Sequence, residues 1–312
     1  MKLHSNKPWL ALAAGVAVVG TLPWLVSEFM ASVLLSCLMY IALATSWSLF
    51  CGATRYLSLA TSAFFGIGAY ASATLLGMLP WQLVIAAGAL IAAVVAIVMG
   101  AAVLHLRGTY FAVLTFGMTE LIRHAVTFVE KQVSGTVGRV LTVVPSNETV
   151  YLTVLLIAAA AIATSIAVKR SRFGLALAGI GADEQRAQTL GVDTRLAKIA
   201  GFGITAAFAG AVGAAMAVRW TYIEPAAVFS PFIGFQTVLI ALIGGAASIG
   251  GPVLAAIVFS LLAETLRLQL PYGYMMVLGL LLILCVMYLP NGLATLWQRK
   301  RAVTPAAEAG HV

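Results

Sequence analysis

Residues 81–104 read WQLVIAAGALIAAVVAIVMGAAVL, a run with no charged side chain and a single amide, Gln82. As an α-helix rising 1.5 Å per residue the run is about 36 Å long, enough to cross the ~30 Å hydrocarbon core of a bilayer with some tilt. A membrane β-strand would instead need about ten residues of alternating apolar and polar character, and no such alternation occurs. Comparable apolar runs lie on either side, at about 8–26, 29–50, 57–79, 109–129, 150–168, 199–218, 232–249, 253–270 and 272–289. With 81–104 they make ten spans, so the expected fold is all-α: a polytopic integral membrane protein of about ten transmembrane helices.

Composition agrees. Of 312 residues, 18 are Lys or Arg and 10 are Asp or Glu, so 9% are charged, against about 25% in soluble domains. Apolar residues make up 62% and mean hydropathy is +1.03, more apolar surface than a soluble domain can bury. One membrane domain, 1–298, is expected, followed by a short tail, 299–312. The run after Lys2 and Lys7 is too long for a signal-peptide core and lacks an A-x-A site, so it reads as an uncleaved first helix.

The basic residues set the expected orientation, because Lys and Arg in short loops are retained on the cytoplasmic side. With the N-terminus inside, the inner segments hold Lys2, Lys7, Arg55, Arg107, Lys169, Arg170, Arg172, Arg186, Arg195, Lys198, Arg299, Lys300 and Arg301. The outer segments and helix ends hold only Arg123, Lys131, Arg139, Arg219 and Arg267. Both termini are then cytoplasmic. The weakest point in this parity is 232–270, where Gly244-Gly245 and Gly250-Gly251-Pro252 fit either a tight turn between spans or a re-entrant segment.

Other chemistries find little support. The net charge of +8 comes without a basic stripe interleaved with aromatics, so no nucleic acid is implied. Cys37, Cys51 and Cys285 sit in or beside apolar runs without CxxC spacing, and the histidines at 4, 105, 124 and 311 are scattered, so no metal site or catalytic constellation emerges. No G-x-x-x-x-G-K-[ST] run occurs, so the chain has no Walker-type phosphate loop of its own.

The only long inner loop is 169–198. Asp183 suits a helix N-cap, Gly191 after Leu190 a stop, and Asp193 or Thr194 the cap of the next span. A short helix here would have nothing of its own chain to pack on, so Leu177, Ile180 and Leu190 are expected to meet a partner protein; a solvated or membrane-surface loop is the plainer reading. Deep in the fifth span Glu120 shares a face with Arg123 and His124, as a cluster on a substrate path or as an internal ion pair. Ser62 and Gly66, like Ala206, Gly210 and Ala214, recur every four residues and permit close helix contact.

The run Ser171-Arg172-Phe173-Gly174, followed by Asp183-Glu184 and Leu190-Gly191, resembles the cytoplasmic coupling loop of branched-chain amino-acid ABC transporter permeases of the LivM type. Leu57 through Tyr70, Leu106-Arg107-Gly108-Thr109-Tyr110-Phe111-Ala112 through Glu120, and Gly244-Gly245 through Gly251-Pro252 are similar to further motifs of that family. The resemblance covers roughly 30–297. The chain departs from the family pattern at Ala60-Thr61, where a Gly-His pair is usual, at Leu175, Ala178 and Gly181, where arginines are usual, and near Ser134-Gly135-Thr136.

The resemblance implies a non-enzymatic permease subunit of an importer in the bacterial inner membrane, carrying leucine, isoleucine, valine or similar small amino acids. It also implies two ATP-binding cassette subunits inside, a second homologous permease subunit, and an external periplasmic substrate-binding protein. No cofactor would be bound by this chain, ATP being used by its partners. The coupling loop would comprise Arg172, Phe173, Gly174, Asp183, Glu184, Leu190 and Gly191. Phe64, Gly66, Gly68, Tyr70 and Glu120 are candidates for the translocation path. The competing class is a secondary transporter or channel working alone, which predicts an intramembrane acid relay and an internal repeat; only Glu120 lies deep and no convincing repeat is found.

Overall fold

The computed structural model describes residues 7–106, 108–141, 144–220, 222–270, 273, 274, 276, 277, 279 and 280. The chain is built of α-helices: α1 (Lys7–Thr21), α2 (Glu28–Trp47), α3 (Thr61–Leu75), α4 (Trp81–Val103), α5 (Thr109–Ser134), α6 (Asn147–Arg170), α7 (Arg172–Ala182), α8 (Glu184–Thr189), α9 (Thr194–Met216), α10 (Pro225–Val228), α11 (Pro231–Gly244) and α12 (Gly250–Gln269). Two short strands, β1 (Arg139–Val140) and β2 (Tyr222–Ile223), pair antiparallel, Arg139 opposite Ile223 and Val140 opposite Tyr222.

Among the described residues, seven segments are long and apolar enough to cross a membrane: 28–52, 81–103, 109–133, 147–170, 194–219, 225–244 and 250–269. The spans expected at 8–26 and 57–79 are shorter helices, α1 and α3 having 15 residues each. The tenth, 272–289, falls largely outside the described residues, as do Cys285 and the tail 299–312. The protein is therefore an all-α polytopic membrane protein.

The helices start where side chains replace missing intrahelical partners. Ser27, Ser146, Ser171, Asp183 and Asp193 each accept a backbone N–H in the first turn of α2, α6, α7, α8 and α9, and Pro231 opens α11. α2 ends in a single wide turn, Ser48–Gly52, after which Arg55 takes a positive φ of 60°. The Trp47 indole N–H donates to the Ser58 carbonyl at 2.8 Å, satisfying one backbone group of the irregular stretch that precedes α3.

α9 lies along α3 and α4 at the centre, and the approach depends on glycine. A Cβ at Gly68 would strike the Gly210 backbone, one at Gly210 the Ala92 side chain, and one at Gly213 the Phe65 backbone. Small residues let membrane helices gain dispersion contact that no hydrophobic effect supplies within lipid. The four-residue pattern in α9 thus marks a true seam. On α3 the seam residue is Gly68; Gly66 faces Phe229 instead.

Chain reversals gather at two opposite ends of the bundle. One end brings together 52–56, Leu104, the α6–α9 connection and the 245–249 turn: the Lys169 Nζ donates to the Ala247 carbonyl at 2.7 Å, and the Lys198 Nζ to the Leu104 carbonyl at 2.8 Å. At the other end β1 meets β2, and the Tyr151 hydroxyl donates to the Val19 carbonyl at 3.1 Å. Within 232–270, α11 and α12 form a tight hairpin in which Gly244 and Gly251 touch backbone to backbone, leaving no room for a Cβ at either.

Candidate functional site

The connection between α6 and α9 is a pair of helices docked on the bundle. Ser171 ends α6 and caps α7, its hydroxyl accepting from the Gly174 N–H at 3.2 Å. Asp183 then caps α8, its carboxylate accepting from the Gln185 and Arg186 N–H groups at 3.0 and 3.1 Å. Gly191, with φ of 85°, turns the chain toward Asp193, which accepts from the Leu196 N–H at 2.9 Å and opens α9. The signals at Asp183, Gly191 and Asp193 are the ones read from the sequence; the Ser171 cap is an addition, and two helices stand where one was expected.

The expectation that these helices lack packing within their own chain is corrected. Leu177 and Ile180 are buried; Leu177 approaches Gly201 of α9, and Gly181 rests directly on the Ala53 carbonyl, where a Cβ would collide. Burying these two side chains is worth roughly 2 kcal/mol each, so the bundle itself is their partner. Leu175 and Leu190 point the other way, 70% and 84% exposed. Arg172 is also exposed, and Phe173 and Gly174 are half-buried.

Glu184 turns inward. Its Oε1 lies 2.6 Å from the Lys198 Nζ, with side chains only 9% and 5% exposed. The Tyr56 hydroxyl donates to Glu184 Oε2 at 2.7 Å. Besides the carboxylate, the Lys198 ammonium donates to the Leu104 carbonyl at 2.8 Å and to the Tyr56 oxygen at 3.3 Å. An ammonium has three N–H donors, and each finds an acceptor here. Neither Lys198 nor Tyr56 was singled out in the sequence. The signals were a lone lysine entering an apolar helix and a tyrosine beside a break in one.

At the opposite end Glu130, on the last turns of α5, is 3% exposed. It accepts from the Tyr70 hydroxyl at 3.0 Å, the Gly138 N–H at 2.9 Å and the Arg139 Nε at 3.3 Å. Tyr70 stacks on Phe229, ring centroids 5.8 Å apart, and Phe229 fills the space left by Gly66. Replacing Glu130 with alanine strands these donors and is expected to cost about 2 kcal/mol, read as a lower melting temperature of the purified chain in detergent. Nearby, a cavity of about 470 Å³ is bordered by Glu28, Asn147, Glu148, Tyr151 and Arg219.

Of the residues considered for a path, Gly66 and Tyr70 meet around Phe229, Gly68 belongs to the α3–α9 seam, and Phe64 packs edge-on against Phe202 at 5.3 Å. Glu120 pairs with Arg123 at 2.5 Å, both partly exposed, while His124 is exposed. Among the described residues no group of three or more His, Cys, Asp or Glu side chains is placed to hold a metal.

The profile of the family described as branched-chain amino acid transport system / permease component matches residues 29–287. The chain is 27% identical to the high-affinity branched-chain amino acid transport system permease protein LivM of Escherichia coli (strain K12), over 92% of this chain and 75% of that protein. It is 26% identical, with the same coverage, to the protein of that name from Salmonella typhimurium (strain LT2). No solved structure matches significantly. With the matched region running from α2 past α12 and enclosing both the docked helix pair and the glycine seam, the chain belongs to the branched-chain amino acid transport permease family.

Proposed function

We propose that this permease works as one membrane subunit of an ATP-driven importer in the bacterial inner membrane, and that α7 and α8 receive the ATPases. Its partners are two ATP-binding cassette subunits, a second permease subunit and a periplasmic substrate-binding protein; ATP is bound by the cassettes, not by this chain. The cargo is leucine, isoleucine, valine or a similar small amino acid. The polypeptide makes about ten crossings with both termini in the cytoplasm, and the bundle end carrying Arg55, Arg170, Arg172, Arg186 and Arg195 faces inward.

One observation carries this reading: a helix pair bonded into the bundle on one side while presenting Leu175 and Leu190 on the other, 70% and 84% exposed in a connection between spans. Large apolar side chains in such a place favour a protein neighbour. Arg172, exposed at the start of α7, adds positive charge near the first of them, while Arg186 on α8 pairs with Asp183 at 3.1 Å. At the opposite end the mixed-charge loops around Arg139 and Glu224 suit a transient, salt-sensitive contact with the binding protein.

The test is assembly. Leu190→Asp is expected to leave the subunit folded and inserted but to weaken its capture of the ATPases by about tenfold, the loss of one interface anchor. Co-purification from membranes at graded salt measures it, alongside ATP-dependent leucine uptake into vesicles. Wild-type capture by this variant, or uptake by the purified subunit alone without nucleotide, would remove the reading in favour of a stand-alone transporter.

A further inference from the structure

The α7–α8 pair is joined to its neighbours by short covalent links: the single residue Ser171 before α7, the single residue Asp183 between the two helices, and the turn through Gly191 before α9. Links of this kind are where hinges form, since a few terminal residues can absorb a large change in φ and ψ. A push applied to a hinged α8 would be lost in the links. The ion pair of Glu184 and Lys198 spans the last of them. It draws in Tyr56, from the stretch leading into α3, and the carbonyl of Leu104, at the end of α4.

We infer that the Glu184–Lys198 pair, with Tyr56 and the Leu104 carbonyl, is the rigid joint of the transporter, binding α8 to α9, to the end of α4 and to the stretch between α2 and α3 so that all four move as one body. This deepens the assignment of α7–α8 as the ATPase-receiving element and rests on it. A charge pair with almost no exposure resists separation, because opening it would leave both ions poorly solvated. Its three acceptors belong to three separate stretches of chain, so no one of those stretches slips without breaking a bond to the same nitrogen. Gly181 on the Ala53 carbonyl braces the neighbouring helix against the same stretch. Lys198 and Glu184 are positioning residues: they touch neither nucleotide nor cargo.

The test uses the assembled transporter with its ATPases, sister subunit and binding protein. Lys198→Met combined with Glu184→Gln, which removes both charges so that neither is stranded, should leave ATPase capture near wild type and ATP hydrolysis running, while leucine uptake per ATP hydrolysed falls about tenfold or more, the scale of a coupling free energy between sites. Lys198→Arg, which restores a cation, should recover part of that ratio; a purely structural role would shift yield and melting temperature without changing it.

Independently of any weakened variant, spin labels at Gln185→Cys on α8 and His105→Cys beyond α4 are introduced with Cys37, Cys51 and Cys285 replaced. Their separation should hold within about 2 Å between nucleotide-free and ATP-bound states. Uptake per ATP unchanged in the double variant at 184 and 198, or a label separation that moves further than that, overturns the rigid joint. In either case a Leu190→Asp subunit that still sheds its ATPases would leave the receiving role of the helix pair standing, so the two ideas fail separately.

Discussion

Glu184→Lys is expected to abolish uptake while the apolar spans remain inserted, by tearing the helix pair off the bundle rather than by altering an exposed contact. The substitution sets a second ammonium against Lys198 in a pocket where the native side chains are 9% and 5% exposed. It also removes the acceptor of the Tyr56 hydroxyl. Breaking a buried pair from one side costs about 3–5 kcal/mol, because the remaining charge has neither partner nor water. That is a large part of the 5–15 kcal/mol by which folded domains exceed their unfolded states.

Gln185→Lys, one position further on and exposed, is the matched control and should change the melting temperature very little. Glu184→Gln, which can still accept from Tyr56 or Lys198, falls between the two. Melting in detergent together with protease accessibility of 171–194 measures all three. Equal behaviour of the variants at 184 and 185 would mean that the carboxylate does not point into the bundle.

Gly68→Leu is expected to leave almost no correctly packed protein. A Cβ at this position meets the Gly210 backbone, which cannot rotate away as a side chain would, so α3 and α9 must separate along their length. Overpacking a well-filled core typically costs 1–3 kcal/mol; with backbone on both sides of the contact about 3 kcal/mol is a reasonable floor. Separation also forfeits the fit of Gly213 against Phe65. Gly15→Leu, where nothing lies within reach of a new Cβ, should express and melt as the native chain does. Size-exclusion profiles of the two variants decide between a specific seam and a general intolerance of bulk.

Local features were legible in the sequence and long-range ones were not. Helix positions followed from apolar runs, and Asp183, Gly191 and Asp193 could be assigned because a cap is decided by a residue and its next three neighbours. The direction of Glu184 depends on Lys198, 14 residues on, and on Tyr56, 128 residues back, and no periodicity reports such a meeting. Leu177 and Ile180 were correctly seen as apolar positions needing cover. What covers them depends on how α7 lies against α9 and residue 53, which is a tertiary matter.

Small-residue spacing found the α9 seam, yet on α3 it favoured Gly66 over Gly68, because both glycines suit a close contact and only the rotation of the helix chooses between them. The short length of α3 was hidden for a similar reason: residues 57–60 are as apolar as a helix turn, but the chain through them is irregular, held open by the Trp47 bond to Ser58.

The ladder of Arg139–Val140 with Tyr222–Ile223 ties together two stretches that are far apart in sequence. Glu130 fastens the first to Tyr70, and the second leads within a few residues to Phe229, which stacks on the same tyrosine. This end of the bundle is thus yoked. A load on either strand therefore arrives at the one aromatic stack, and the two stretches respond together.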